Sequence, residues 1–210
     1  MPLKIRSLFI FILLQVCLNF TGYAQSNDCI NLDDSGFNKQ AFTIFEKDLF
    51  NHYQTETDRV KKYRKFLMEI ASLSVDLRKL PSTEAVETAR SFKEKALGKN
   101  SIWVKLSDYQ NQEASQKPTP YTTPAKGNEQ EIYTFNYRGG FIQCLKNTNV
   151  SEDFKDIVTL LENDANISTS LVAQRIYYMT DAEIDSEEVR QFIAFDIYYS
   201  ILMVIEKAFG

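Results

Sequence analysis

The residues of this chain that could perform catalysis are few, and their spacing matches no catalytic pattern. The single histidine is His52, whereas catalytic triads and most zinc sites need histidine near a nucleophile or further ligands. The acids of residues 181–187 alternate as in a calcium-binding loop. The sixth position of that loop is Ser186 and the twelfth is Phe192, where glycine and a bidentate glutamate are needed. We therefore predict no catalytic residue, no metal and no cofactor.

Asp196 is a carboxylate inside a stretch that is almost entirely apolar from residue 192 to residue 205. A lone carboxylate in such a stretch is costly unless it is paired. The sequence predicts a structural ion pair with Arg175 or Arg190. A binding-site anion is the alternative role of Asp196.

Two pairs of adjacent tyrosines occur in the last two predicted helices. They are Tyr177 with Tyr178, and Tyr198 with Tyr199. Tyrosine suits protein interfaces because its ring is large and apolar while its hydroxyl is polar. Packing in the core explains the same residues, so an interface and a core role are both open.

The first 24 residues have the pattern of a signal peptide. A basic start and an apolar run over residues 8–14 precede Gly22 and Ala24, which predict cleavage after Ala24. The Tyr-Ala-Gln-Ser ending resembles leaders of Gram-negative bacteria. An uncleaved anchor is the alternative, but the apolar run is shorter than the ~20 residues of a membrane span. We therefore predict a periplasmic or secreted protein, with no stable membrane span once the leader is removed.

The predicted mature chain, residues 25–210, retains two cysteines, Cys29 and Cys144. In an oxidising compartment two cysteines are a candidate disulfide. Such a bond would tie the start of the mature chain to its second half. Two buried free thiols are the alternative.

The composition predicts a folded helical domain that does not bind nucleic acid. Hydrophobic residues make up 44% of the chain, and only 7 Gly and 5 Pro are present in 210 residues, so turns are few. Of the 24 basic residues the leader holds two and none of the 28 acids, so the remainder has a formal charge of −6. This charge disfavours general binding to nucleic acid and to anionic lipid.

Apolar residues recur at helical spacing through most of the mature chain. The first helix would be capped by Asp34 or Ser35, and the last by Asp185. The last helix is apolar on all sides, which predicts a central position in a bundle. The predicted helices lie within residues 37–50, 60–80, 82–98, 151–162, 167–179 and 185–205, and an additional short helix at residues 102–106 is an option.

The middle of the chain changes in character. Residues 110–130 are rich in Pro and Thr and predict a long exposed loop. This loop either joins two helical halves, residues 35–109 and 131–210, or is an insertion in a single domain. Residues 131–147 fit a helix, and a small hairpin near residues 132–143 is the alternative. We favour the helix because a hairpin there would have no third strand nearby.

These features together predict an all-α fold, an irregular bundle of about six to seven helices around a buried C-terminal helix. The leading functional hypothesis is an exported, non-enzymatic protein that binds another protein. By analogy at the level of fold class, it would be a periplasmic immunity protein that inhibits a bacterial toxin. The alternatives are a helical carrier of a small apolar ligand and a carboxylate-based hydrolase. The sequence does not predict the oligomeric state.

Overall fold

The computed structural model describes residues 29–32, 36–95, 98, 100–114, 132–164 and 167–209. The predicted leader and most of the predicted 110–130 loop lie outside these residues. The elements are a 3-10 turn (Cys29–Leu32), α1 (Phe37–His52), α2 (Arg59–Ala71), α3 (Thr83–Lys95), β1 (Trp103–Lys105), α4 (Leu106–Ala114), β2 (Tyr133–Phe135), α5 (Gly140–Asn147), α6 (Glu152–Asn163), α7 (Thr169–Tyr177), α8 (Asp181–Asp185), α9 (Glu187–Phe192), a π-helical segment (Ile193–Tyr199) and α10 (Ser200–Phe209). The predicted all-α class is confirmed.

The C-terminal helix lies at the centre of the bundle, as predicted. It is formed by α9, the π-helical segment and α10 in direct succession, and every residue of the π-helical segment is buried. Aromatic rings from other elements pack around it. Burying one such side chain contributes roughly 1.5–3 kcal/mol to stability. These ring pairs are Phe45–Tyr198, Phe92–Tyr199, Phe141–Phe195 and Phe154–Phe192.

The first residues of two helices differ from the predictions. The N-cap of α1 is Gly36, which has a φ of 67° and makes no side-chain cap, while Asp34 and Ser35 lie outside the described residues. The predicted Asp185 cap is wrong, because the hydroxyl of Ser186 accepts the hydrogen bond from the N–H of Val189. A hydroxyl and a carboxylate are both good N-caps, so composition did not distinguish the two neighbours.

Helix α2 ends at Ala71, well before the predicted end at residue 80. Leu73 has a φ of 56°, and its N–H donates to the carbonyl of Ile70. The N–H of Ser74 donates to the carbonyl of Glu69 at 2.8 Å. These two bonds form a Schellman motif, which stops a helix. The prediction failed because this position normally holds glycine, and leucine there is no stop signal in sequence.

A two-stranded sheet replaces the helices predicted at residues 102–106 and in the first part of 131–147. β1 and β2 are antiparallel, with Trp103 opposite Phe135. The hairpin alternative is also wrong, because β2 pairs with the earlier strand β1, and α5 follows instead of a second strand. A short apolar run fits the helical period and the strand period equally well, so the pairing of β1 with β2 decided the structure. Residues 110–114, predicted as loop, belong to α4.

The sulfur atoms of Cys29 and Cys144 lie at bonding distance, 2.06 Å, so the candidate disulfide is present in the structure. It connects the 3-10 turn to α5. Within the described residues, no helix has both the length and the apolar character needed to cross a membrane.

Candidate functional site

Asp196 lies in the π-helical segment and is 3% exposed. Its Oδ1 accepts a hydrogen bond of 2.6 Å from the hydroxyl of Tyr137, which is also buried. Burial raises the pKa of the Asp196 carboxyl to about 7, and the bond from Tyr137 opposes this rise. The buried carboxyl is therefore protonated over much of the acidic range and held by a phenol.

The two arginines predicted to pair with Asp196 have other environments. Arg190 donates to a carboxylate oxygen of Glu46, which also accepts from the hydroxyl of Tyr63 at 2.9 Å. Arg175 is exposed and makes no ion pair with any residue in the described ranges. Tyr137 was missed because it lies 59 residues before Asp196, and no periodicity in sequence links the two.

Tyr198 and Tyr199 are core residues, exposed by 2% and 0%. The hydroxyl of Tyr198 donates to Oδ2 of Asp48 at 2.7 Å, and the hydroxyl of Tyr199 donates to the carbonyl of Ala41 at 2.8 Å. Ser82 also donates to Asp48, from its backbone N–H and from its hydroxyl. Burial raises the pKa of both tyrosines well above its usual range. These two side chains tie the π-helical segment to α1 and do not face a partner.

Tyr177 and Tyr178 lie at the surface, at the end of α7. Tyr178 is 76% exposed, and its ring packs edge-on against Tyr177 at 5.3 Å. Arg64 of α2 donates to the carbonyls of Tyr177 and Met179 and to the carboxylate of Asp181. Arg64 thereby satisfies carbonyls at the end of α7 and fixes this end against α2.

Most of the exposed large apolar side chains belong to one pair of helices. Helices α2 and α7 pack on each other more extensively than any other two described elements. Of the six large apolar side chains exposed in the described ranges, four lie on these helices or directly after them, and two, Ile132 and Val204, do not. We call the four the α2–α7 face: Met68, Leu73, Leu171 and Tyr178.

Leu73 is the most exposed member of the α2–α7 face, at 83%. Its left-handed backbone, with a φ of 56°, costs roughly 1–2 kcal/mol for a residue with a side chain. Glycine would avoid this cost at the C′ position of a Schellman motif. The chain therefore presents a large apolar side chain to solvent at a position where it lowers stability.

Comparisons with known proteins do not identify a relative. No protein-family model matches this chain, and no curated protein or solved structure shows significant similarity to it. In the part of the chain that the structure describes, no three or more His, Cys, Asp and Glu side chains are grouped so that they could hold a metal ion.

Proposed function

We propose that this protein is exported and non-enzymatic, and that it binds another protein through the α2–α7 face. The observation that supports this most directly is the concentration of exposed apolar side chains on that helix pair. Isolated exposed apolar residues are normal on a protein surface, whereas several on one packed pair of helices favour an interaction site. The exposed tyrosine adds a residue type that is enriched in binding hot spots.

The conformation of Leu73 gives the proposal a second support. Backbone strain that the fold does not need is frequently retained at ligand and partner sites. Burying the leucine side chain in a partner would contribute roughly 1.5–3 kcal/mol, which exceeds the cost of its left-handed backbone. Binding a partner therefore gives a physical reason for leucine where glycine would be more stable.

The charge of α2 indicates the chemistry of the partner. The chain is acidic as a whole, yet five of the first seven residues of α2 are basic. Three of them pair with acids of the chain itself, and Lys61 is exposed. A partner with an apolar groove bordered by acidic residues fits this helix best, because complementary charge speeds association and rejects other proteins.

A more specific form of this proposal names the partner: the protein would be a periplasmic immunity protein that neutralises a toxin delivered by neighbouring bacteria. Its support is analogy at the level of fold class together with the predicted leader, both of which are weaker than the α2–α7 face. The test is co-culture of a deletion strain with its sibling strain. The deletion strain should lose viability only when the sibling can deliver its toxins, and equal survival in both cases would reject the immunity role.

The experiment for partner binding compares three variants as baits for periplasmic proteins. Leu73→Asp and Tyr178→Ala change the α2–α7 face, and Val204→Asp changes an apolar residue of α10 that is 68% exposed. We expect Leu73→Asp to weaken capture of a specific partner by at least roughly tenfold, since it loses apolar burial and introduces a charge. Val204→Asp should capture as the unmodified protein does. Equal capture by all variants would show that the α2–α7 face is not the binding site.

No observation in the described residues favours a carboxylate-based hydrolase. The alternative function, a helical carrier of a small ligand, has a candidate site on elements other than α2 and α7.

A further inference from the structure

An aromatic cleft of about 270 Å³ opens between the first residues of α1, the end of α3, β1 and α5. Its apolar walls come from four aromatic side chains, Phe37, Phe92, Trp103 and Phe141. Ligand sites in proteins typically measure roughly 300–1,000 Å³, so this cleft suits a molecule with a single ring. It shares no lining residue with the α2–α7 face, so this inference is independent of the proposed function.

The walls of the cleft are held in place by contacts among the lining residues and with their neighbours. Phe92 packs edge-on against Phe37, with 5.0 Å between the ring centres. It packs at a tilt against Trp103, with 6.2 Å between the ring centres. Behind Trp103, the N–H of Asn136 donates to the carbonyl of Ile102 at 2.8 Å. A side chain on Gly139 would collide with the amide of Asn136, at 2.5 Å, which explains the glycine there. A cleft with fixed walls loses little entropy when a ligand enters.

Trp103, one of the residues that line the cleft, carries an indole N–H without a hydrogen-bond partner in the described structure. The residue is 3% exposed. A buried donor without a partner costs roughly 1–3 kcal/mol. A ligand with an acceptor would remove this cost. Ser101, which also lines the cleft, already donates to the carbonyl of Lys95 at 3.2 Å.

Lys95 is the one charged residue among the described residues that line the cleft. Its ammonium group lies 4.5 Å from the centre of the Phe37 ring. It forms no ion pair with any residue in the described ranges. The cleft therefore combines a positive charge, a neutral donor and aromatic walls, and none of its described lining residues is negatively charged.

We propose that this cleft binds a small aromatic carboxylate. The ring lies among the four aromatic side chains, where edge and face contacts add to apolar burial. The carboxylate accepts hydrogen bonds from the indole N–H of Trp103 and from the ammonium group of Lys95. Charge-assisted hydrogen bonds of this kind are about twice as strong as neutral ones, so the acid is preferred over its amide.

The test uses the fluorescence of Trp103, which is the only tryptophan in the chain and therefore reports directly from the cleft. The purified protein is titrated with phenylacetate and, separately, with the neutral phenylacetamide. We expect a saturable change of the emission with phenylacetate, and at least roughly tenfold weaker binding of phenylacetamide.

Two variants separate the cleft from general effects of charge. Lys95→Met keeps the length of an exposed side chain and removes its charge, and we expect at least roughly tenfold weaker binding of phenylacetate. Lys79→Met removes an exposed charge that does not belong to the described lining residues and should leave binding unchanged. Trp103→Phe, checked for folding by circular dichroism and titrated by calorimetry, should also weaken binding, because the donor is lost.

Three results would overturn the proposal. The first is the absence of any saturable change with phenylacetate up to about 10 mM, the weakest affinity that a site of this kind should show. The second is equal affinity for phenylacetate and phenylacetamide, and the third is unaltered binding in Lys95→Met. Each of these results leaves the α2–α7 face untouched, so the two proposals fail separately.

Discussion

The two tyrosine pairs of this chain share the tripeptide Ile-Tyr-Tyr but have different environments. Tyr198 and Tyr199 are buried in the π-helical segment, and each hydroxyl has a partner on α1. Tyr177 and Tyr178 end a surface helix, where Tyr178 is 76% exposed. A tyrosine is stable in the core when its hydroxyl is bonded, and stable at the surface without any partner.

The difference between the pairs comes from what lies opposite each of them. Asp48, which accepts from Tyr198, lies 150 residues earlier in the chain. Among the described residues, none accepts a hydrogen bond from the hydroxyl of Tyr178. Its ring is exposed to solvent and available to a partner protein. Tyrosine pairs thus stabilise the core in one place and form part of the α2–α7 face in the other.

The largest expected effect compares truncation of one tyrosine from each pair. Tyr199→Ala should lower the free energy of unfolding by roughly 3–5 kcal/mol, because it leaves a cavity in the core. Tyr178→Ala should change it by less than about 0.5 kcal/mol. Urea denaturation followed by circular dichroism measures both. Similar losses in the two variants would end the distinction between core and surface pairs.

The next effect concerns the buried carboxyl in the same segment as Tyr199. Because the pKa of Asp196 is raised from 3.8 to about 7, the native protein holds a proton that the unfolded chain has released between these pH values. Stability should therefore fall as pH rises from about 4 through 7, by an amount on the order of 3 kcal/mol.

Asp196→Asn isolates this effect, since the amide does not titrate. As pH rises across that window, the unmodified protein should lose stability and the variant should not. The free energy of unfolding of the variant minus that of the unmodified protein should therefore increase with pH. Asp181→Asn, which changes an exposed acid that pairs with Arg64, is the control and should lack this trend. A constant difference for Asp196→Asn from pH 4 to pH 8 would show that Asp196 does not take up the predicted proton.

A smaller effect tests the hydroxyl groups themselves. Tyr198→Phe removes the donor to the buried Asp48 and should cost roughly 1–3 kcal/mol. Tyr177→Phe removes a hydroxyl at the surface and should cost less than about 0.5 kcal/mol. Thermal unfolding of the two variants compares them directly, and an equal cost would mean that the bond to Asp48 adds nothing.

The smallest effect should have the opposite sign. Leu73→Gly relieves the left-handed backbone at the end of α2 and should raise stability by roughly 0.5–1 kcal/mol, the steric gain less the greater flexibility of glycine. The same variant should weaken capture of a partner. Calorimetry and the capture assay measure the two effects. A destabilised variant with unchanged capture would remove Leu73 from both arguments.

Prediction from the sequence succeeded where a pattern is local and long. The stripe of α1, the apolar face of α6 and the apolar C-terminal helix all follow from the helical period. It failed for β1 and β2, three residues each, because so short a run does not distinguish the two periods. It also failed for the end of α2, because leucine occupies the position that normally holds glycine.

The candidate sites were less accessible to prediction than the fold. The sequence identified Asp196 and both tyrosine pairs, but assigned Asp196 an arginine instead of Tyr137. The aromatic cleft was not predicted at all, because Phe37, Lys95, Trp103 and Phe141 lie on four separate elements.

By itself, the sequence determined that this chain is helical, that its C-terminal helix is central, and that two cysteines were available to pair. The tertiary structure alone decided which polar groups meet, which tyrosines are buried and where a cleft opens. The physical reason is that periodicity reports which face of an element is apolar, whereas burial and hydrogen bonding depend on groups brought together from distant parts of the chain.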